Sequence, residues 1–210
     1  MGGTGTRLDK MRRSACWLVV AGILLADSGV MAGQPEQLTV EDGDRAAFKL
    51  AAIVERSLNN PNGTLRVVLS ESEVNAYLTF HVFSEFPDLI TQPQIKMLGG
   101  GRLVAEAVAS LEEVDLVGQS DALSPLQYLR GSVKVSARGS LNTEDGTGKL
   151  EIESVSVAGI PVPLVVLDEL VRRYSRTDSA PNGFDVAEPF VLPYRIREVL
   201  IQVGETVIVQ

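Results

Sequence analysis

Ser70-Glu71-Ser72-Glu73-Val74-Asn75-Ala76-Tyr77-Leu78-Thr79-Phe80-His81-Val82-Phe83-Ser84-Glu85-Phe86 is the stretch on which the fold turns. Ser70 followed three residues later by Glu73 has the form of a capping box, in which side chains and backbone at a helix start satisfy each other's orphan hydrogen-bonding groups. The spacing predicts a helix from Glu71 to about Phe86. Val74, Ala76, Tyr77, Leu78, Phe80, Val82, Phe83 and Phe86 are spread around much of its circumference, whereas a surface helix keeps such residues on one stripe. The helix must be covered on more than one side. It is either a core helix packed under a sheet or one wall of an apolar tunnel, with a sheet curving around it.

Upstream, Ala47, Leu50, Ala51, Val54 and Leu58 recur at three-and-four spacing and predict a helix from about Asp44 to Leu58. The run Asn59-Asn60-Pro61-Asn62-Gly63 closes it. Asn62-Gly63-Thr64 fits a glycosylation sequon, but a turn accounts for it. Thr64 to Leu69 reads as a strand. Downstream the pattern changes to strands at Gln94 to Leu98, Arg102 to Leu111, Gln127 to Leu141 and Lys149 to Ala158. Gly99-Gly100-Gly101 supplies one turn and Asn142 to Gly148 a hairpin loop, with Asp115 to Pro125 a loop of little periodicity. Pro161 and Pro163 end the strand run, since proline cannot donate to a ladder. A third helix follows, its apolar stripe being Leu164, Leu167, Leu170, Val171 and Tyr174, with Asp168, Glu169, Arg172 and Arg173 opposite. After a polar link from Ser175 to Gly183 come Phe184 to Leu192 and a last hairpin, Val199 to Val203 and Glu205 to Val209.

The N-terminus carries an address. Arg7, Lys10, Arg12 and Arg13 precede a short apolar run from Ala15 to Ala26, and small residues stand before Gly33 in Val30-Met31-Ala32. These are the three parts of a secretory signal peptide. A spanning helix needs about 20 apolar residues, and Asp27 interrupts the run too early. Residues 1–32 are therefore read as a signal peptide cleaved near Ala32, 33–43 as a linker and 44–210 as a single domain exported to the periplasm or cell envelope. Cys16 precedes the apolar core, an order that disfavours lipoprotein attachment.

The chain has 19 Lys and Arg against 27 Asp and Glu, a net charge of −8, and cleavage makes the remainder more acidic. Such a surface repels phosphate backbones, so nucleic acid is excluded as an expected partner. Loss of Cys16 leaves no thiolate and no disulfide. His81 is the only histidine, so multi-histidine zinc sites are excluded and a Ser-His-Asp triad would have to use His81 itself. Gly99-Gly100-Gly101 lacks the Lys-Ser/Thr of a phosphate loop and opens a strand. Glu112, Glu113 and Asp115 lack calcium-loop spacing. Glu151 and Glu153 share a strand face simply by alternation. No metal, cofactor or catalytic residue is expected.

The segment Leu69-Ser70-Glu71-Ser72-Glu73-Val74-Asn75-Ala76-Tyr77-Leu78, the strands leading to Gly159-Ile160-Pro161-Val162-Pro163, and Phe190-Val191-Leu192-Pro193 with its terminal hairpin resemble the bacterial exported lipid-binding proteins of the LmeA and YceB type. These belong to the tubular lipid-binding (TULIP) superfamily. The resemblance implies an α+β fold in which a highly curved antiparallel sheet wraps around a long apolar helix, here with an additional N-terminal helix. It implies a non-enzymatic binder or carrier of a lipid or other apolar small molecule, with no cofactor. Candidate lining residues are Tyr77, Leu78, Phe80, Phe83, Ile160, Leu164 and Leu167. The alternative is an envelope structural or assembly factor that docks a protein partner or meets a membrane surface.

Overall fold

The computed structural model describes residues 37–59, 64–85, 90–110, 130–174, 176, 182, 185–186 and 188–210. The expected signal segment with Cys16, the sequon asparagine, Phe86, and the stretch holding Glu112, Glu113 and the expected Asp115 to Pro125 loop lie outside them. The chain is α+β. Helix α1, Val40–Asn59, leads into β1, Arg66–Ser70, and α2, Glu71–Tyr77, which continues as a wide π-turn, Leu78–Val82, and a 3-10 turn, Phe83–Glu85. Strands β2, Ile90–Gly99, β3, Arg102–Ser110, β4, Ser132–Glu144, β5, Thr147–Val157, and β6, Ile160–Pro161, pair antiparallel in sequence order. Helix α3, Leu164–Tyr174, and β7, Phe190–Val191, follow, β7 pairing with β5 to complete a six-stranded sheet. The last hairpin, β8, Glu198–Gln202, and β9, Glu205–Val209, joins β1 in a separate three-stranded sheet of order β1-β9-β8.

The Glu71–Glu85 segment, where one long helix was expected, is a short α-helix followed by two turns, and it contacts other elements on unlike sides. Leu78 and Phe83 join Ile95, Met97, Leu103, Ala105, Ala137 and Val155 of the six-stranded sheet in one apolar cluster. Tyr77 packs in a second cluster with Ala46 and Ile53 of α1 and Val67, Leu69 and Ile208 of the small sheet. Val74 touches both. The sheet thus covers one face, and α1 with the small sheet covers another. At the crossing with α1, a Cβ on Gly43 would lie 3.2 Å from the Ala76 carbonyl oxygen and 3.2 Å from the His81 ring. Ala46 and Ala76 are both fully buried, so small residues set how closely the helices approach.

The π-turn decides which aromatics enter the core. In a regular helix residues five apart point about 140° away from each other. Here Thr79 Oγ1 donates to the Asn75 carbonyl (2.9 Å), and Phe83 N–H donates to Leu78 O across five residues. The widened turn brings Phe83 to the same face as Leu78. Each such buried side chain stabilises by roughly 1.5–3 kcal/mol.

Strand ends differ from expectation at two hairpins. Asn142 to Gly148 is not all loop: the strands run on to Glu144 and restart at Thr147, leaving Asp145-Gly146 as the turn. Thr143 is held in the ladder because its hydroxyl donates to Val199 O (3.0 Å) and accepts from Val199 N–H (2.8 Å). Pro161 does not exclude pairing, since β6 is a two-residue edge strand opposite Ser156 and Val157. At Gly99-Gly100-Gly101 the expected turn is present, with all three at positive φ. A side chain at Gly101 would meet the Leu141 carbonyl oxygen at 2.9 Å.

Candidate functional site

A recess among the described residues lies away from the aromatic helix. It is an open groove of about 440 Å³ between β5 and α3, lined by Lys149, Leu150, Glu151, Ile152, Leu164, Val165, Leu167, Asp168 and Val186. Its size falls within the range typical of small-ligand pockets, about 300–1,000 Å³. Leu164, Leu167 and Asp168 line one wall because positions three and four apart share a helix face. Leu167 is only 4% exposed and forms part of the main apolar cluster, so the groove opens directly off the core. Leu164 and Val165 remain 45% and 75% exposed. Two large apolar side chains thus stand open to water beside the groove.

The polar groups are few and on the walls. Lys149 Nζ lies 2.7 Å from Glu151 Oε1 in a solvent-exposed pair. Asp168 does not lie opposite the apolar stripe as its spacing suggested. Its Oδ2 accepts from Arg172 Nε (2.8 Å), while its Oδ1 is buried with no hydrogen-bond partner among the described residues. Arg172 also pairs with Asp185, which ties the segment bearing Val186 to α3 and fixes the far wall. The groove therefore offers hydrocarbon contact, with its charged groups held in pairs on the walls.

Of the residues expected from sequence, Leu164 and Leu167 line this groove. Leu78 and Phe83 are buried in the apolar cluster that Leu167 joins, and Ile160 packs against it half-buried. Tyr77 faces the other cluster, and Phe80 is half-buried. Leu150, Ile152 and Val186 were not singled out from sequence. Alternation along β5 places Leu150 and Ile152 on one face, but nothing local shows that this face meets a helix 14 residues on.

His81 has a structural setting. Its Nε2 lies 2.9 Å from Asp44 Oδ1, and its ring stacks on Tyr77 with centroids 5.4 Å apart. The first contact joins α1 to the π-turn, and the second lies within the Glu71–Glu85 segment itself. Among the described residues no three His, Cys, Asp or Glu side chains converge as a metal site would require, and no helix is long and apolar enough to cross a membrane.

No protein-family model matches the chain, and no curated protein matches it at a significant level.

Proposed function

We propose that this chain is an exported, non-enzymatic binder or carrier of an acyl chain or similar apolar small molecule in the cell envelope. The observation that supports the reading is the β5–α3 groove, where exposed Leu164 and Val165 stand beside buried Leu167. In this reading the six-stranded sheet curves around the Glu71–Glu85 helix in the tubular lipid-binding manner, and α3 is the wall that moves to admit cargo. Burying a methylene is worth roughly 0.8 kcal/mol, so about a dozen of them supply on the order of 10 kcal/mol before the cost of association. No catalytic group is needed. The N-terminal Ala15 to Ala26 run with its basic flank supports export, after which only the envelope's own lipids are at hand.

The test is native mass spectrometry and organic extraction of the protein purified from the envelope fraction of expressing cells. The expected result is a mature chain beginning near Gly33 with copurifying acyl lipid, and at least tenfold less lipid on a folded Leu164→Lys variant. A protein that carries no lipid and takes up no fluorescent fatty acid overturns the carrier reading.

A further inference from the structure

The groove has a second property that an acyl chain does not use. Lys149, Leu150, Glu151 and Ile152 are four consecutive residues lining it, although strand alternation sends neighbouring side chains to opposite faces. A groove that touches all four must run along the edge of β5, against its backbone. Pairing brackets this stretch on both sides: the Gly146 carbonyl accepts from Leu192 N–H (2.7 Å) and the Val155 carbonyl accepts from Val162 N–H (2.9 Å). Between them, among the described residues, β5 has β4 on one side and no strand on the other. Alternation from Gly146 through Gly148 aims the backbone groups of Leu150 and Ile152 at the open edge. The bulge at Glu153, which stands between the pairs Gly139–Ile152 and Arg138–Ser154, shifts the alternation so that Val155 faces the same way.

We propose that this edge binds an extended polypeptide segment by strand addition, its backbone pairing with Leu150 and Ile152 and its alternate apolar side chains resting on Leu164 and Val165. The partner's chemistry follows from the edge itself. Its free N–H and C=O groups are complementary to another strand, and the flanking helix supplies apolar pockets for every second residue. A hydrocarbon tail leaves those backbone groups unanswered. This ligand class goes beyond the acyl-chain reading and does not depend on it.

The experiment pans a display library of random ten-residue peptides on the full chain and measures enriched peptides by fluorescence anisotropy. The expected result is enrichment of sequences with apolar residues at alternate positions. Their affinity falls at least tenfold for a Val165→Asp variant of unchanged circular dichroism, and at least tenfold when alternate peptide nitrogens are methylated. Hydrogen exchange at the Leu150 and Ile152 amides slows when peptide binds. No enrichment over the Val165→Asp protein overturns the proposal, as does binding that ignores N-methylation or leaves those two amides unprotected. Lipid retention without peptide selection sinks this inference alone, and peptide selection by a lipid-free protein sinks the carrier reading alone.

Discussion

The two edges of the six-stranded sheet are treated in opposite ways. At β2 the helix start seals the edge: Asn75 Nδ2 donates to the Ile95 carbonyl (2.9 Å) and its Oδ1 accepts from Ile95 N–H (2.6 Å). One turn earlier Glu71 Oε2 accepts from Met97 N–H (2.6 Å), and Gly204 N–H donates to the Met97 carbonyl (3.2 Å). Helix side chains therefore stand in for a missing strand. At β5, among the described residues, no strand or helix side chain is paired with the edge from Lys149 to Ser154, and a helix stands off to leave a groove. An exposed edge is a template for unwanted pairing, so a chain that seals one edge with a buried amide and a part-buried carboxylate, and leaves the other without such a seal among the described residues, has specialised them.

The largest expected effect comes from unsealing β2. Asn75 is 4% exposed, and an Asn75→Ala change leaves a buried donor and a buried acceptor without partners. A loss of about 3 kcal/mol is expected, since each unsatisfied buried group costs roughly 1–3 kcal/mol. Urea unfolding monitored by circular dichroism measures it. A loss under about 0.5 kcal/mol, the ordinary scale for surface substitutions, would erase the contrast between the edges.

Next is Glu73, which connects the seal to α1. Its carboxylate accepts from Lys49 Nζ through both oxygens (2.7 Å each) and from Ser70 N–H (2.9 Å). Burial pushes its pKa up most strongly. The Lys49 hydrogen bond, the Ser70 amide, and the charges of Lys49 and Arg45 together outweigh burial and hold it below 4.5. A carboxyl depressed in the folded state stabilises fully above its unfolded pKa and loses that contribution as pH falls through the folded value. Stability of the wild type should therefore decline as pH drops below about 4.5, and a Glu73→Gln variant should show less of that decline. At pH 7 the variant should lose about 2 kcal/mol, discounted from the value for a fully buried pair because Lys49 is partly exposed. A variant whose acid profile superimposes on the wild type would remove Glu73 from the account.

Ser70→Ala is smaller again. The hydroxyl accepts from Glu73 N–H (3.1 Å), and losing such a cap costs about 1 kcal/mol. This element was legible from sequence, because Ser70 and Glu73 need only each other at fixed spacing. So were most strands, the glycine turn and the last hairpin. Glu71 and Asn75 were not, since their partners Ile95 and Met97 lie across a nonlocal packing that no local period encodes. The pairing of β1 with β9 at the other end of the chain escaped for the same reason. The site was legible in part: Leu164 and Leu167 follow from helical spacing. The inward turn of Phe83 beside Leu78 depends on a π-turn that apolar periodicity alone cannot predict, and it brings Phe83 into the apolar cluster under the sheet.

The smallest effect on stability should come from the open edge, and that is what sharpens the contrast. Leu164 is 45% exposed, so a Leu164→Lys change removes little buried surface and lets the lysine extend its ammonium into water, with an expected change within about 0.5 kcal/mol. Its effect on retained lipid should nevertheless be tenfold or more, because a charge at the groove mouth must be desolvated by any hydrocarbon that enters. Thermal unfolding beside lipid extraction of the same preparation separates the two quantities. A variant that unfolds early would show that Leu164 belongs to the core, and one that keeps its full lipid would show that cargo enters elsewhere. A stable variant emptied of lipid would show an edge spared from sealing because it is where the molecule meets its ligand.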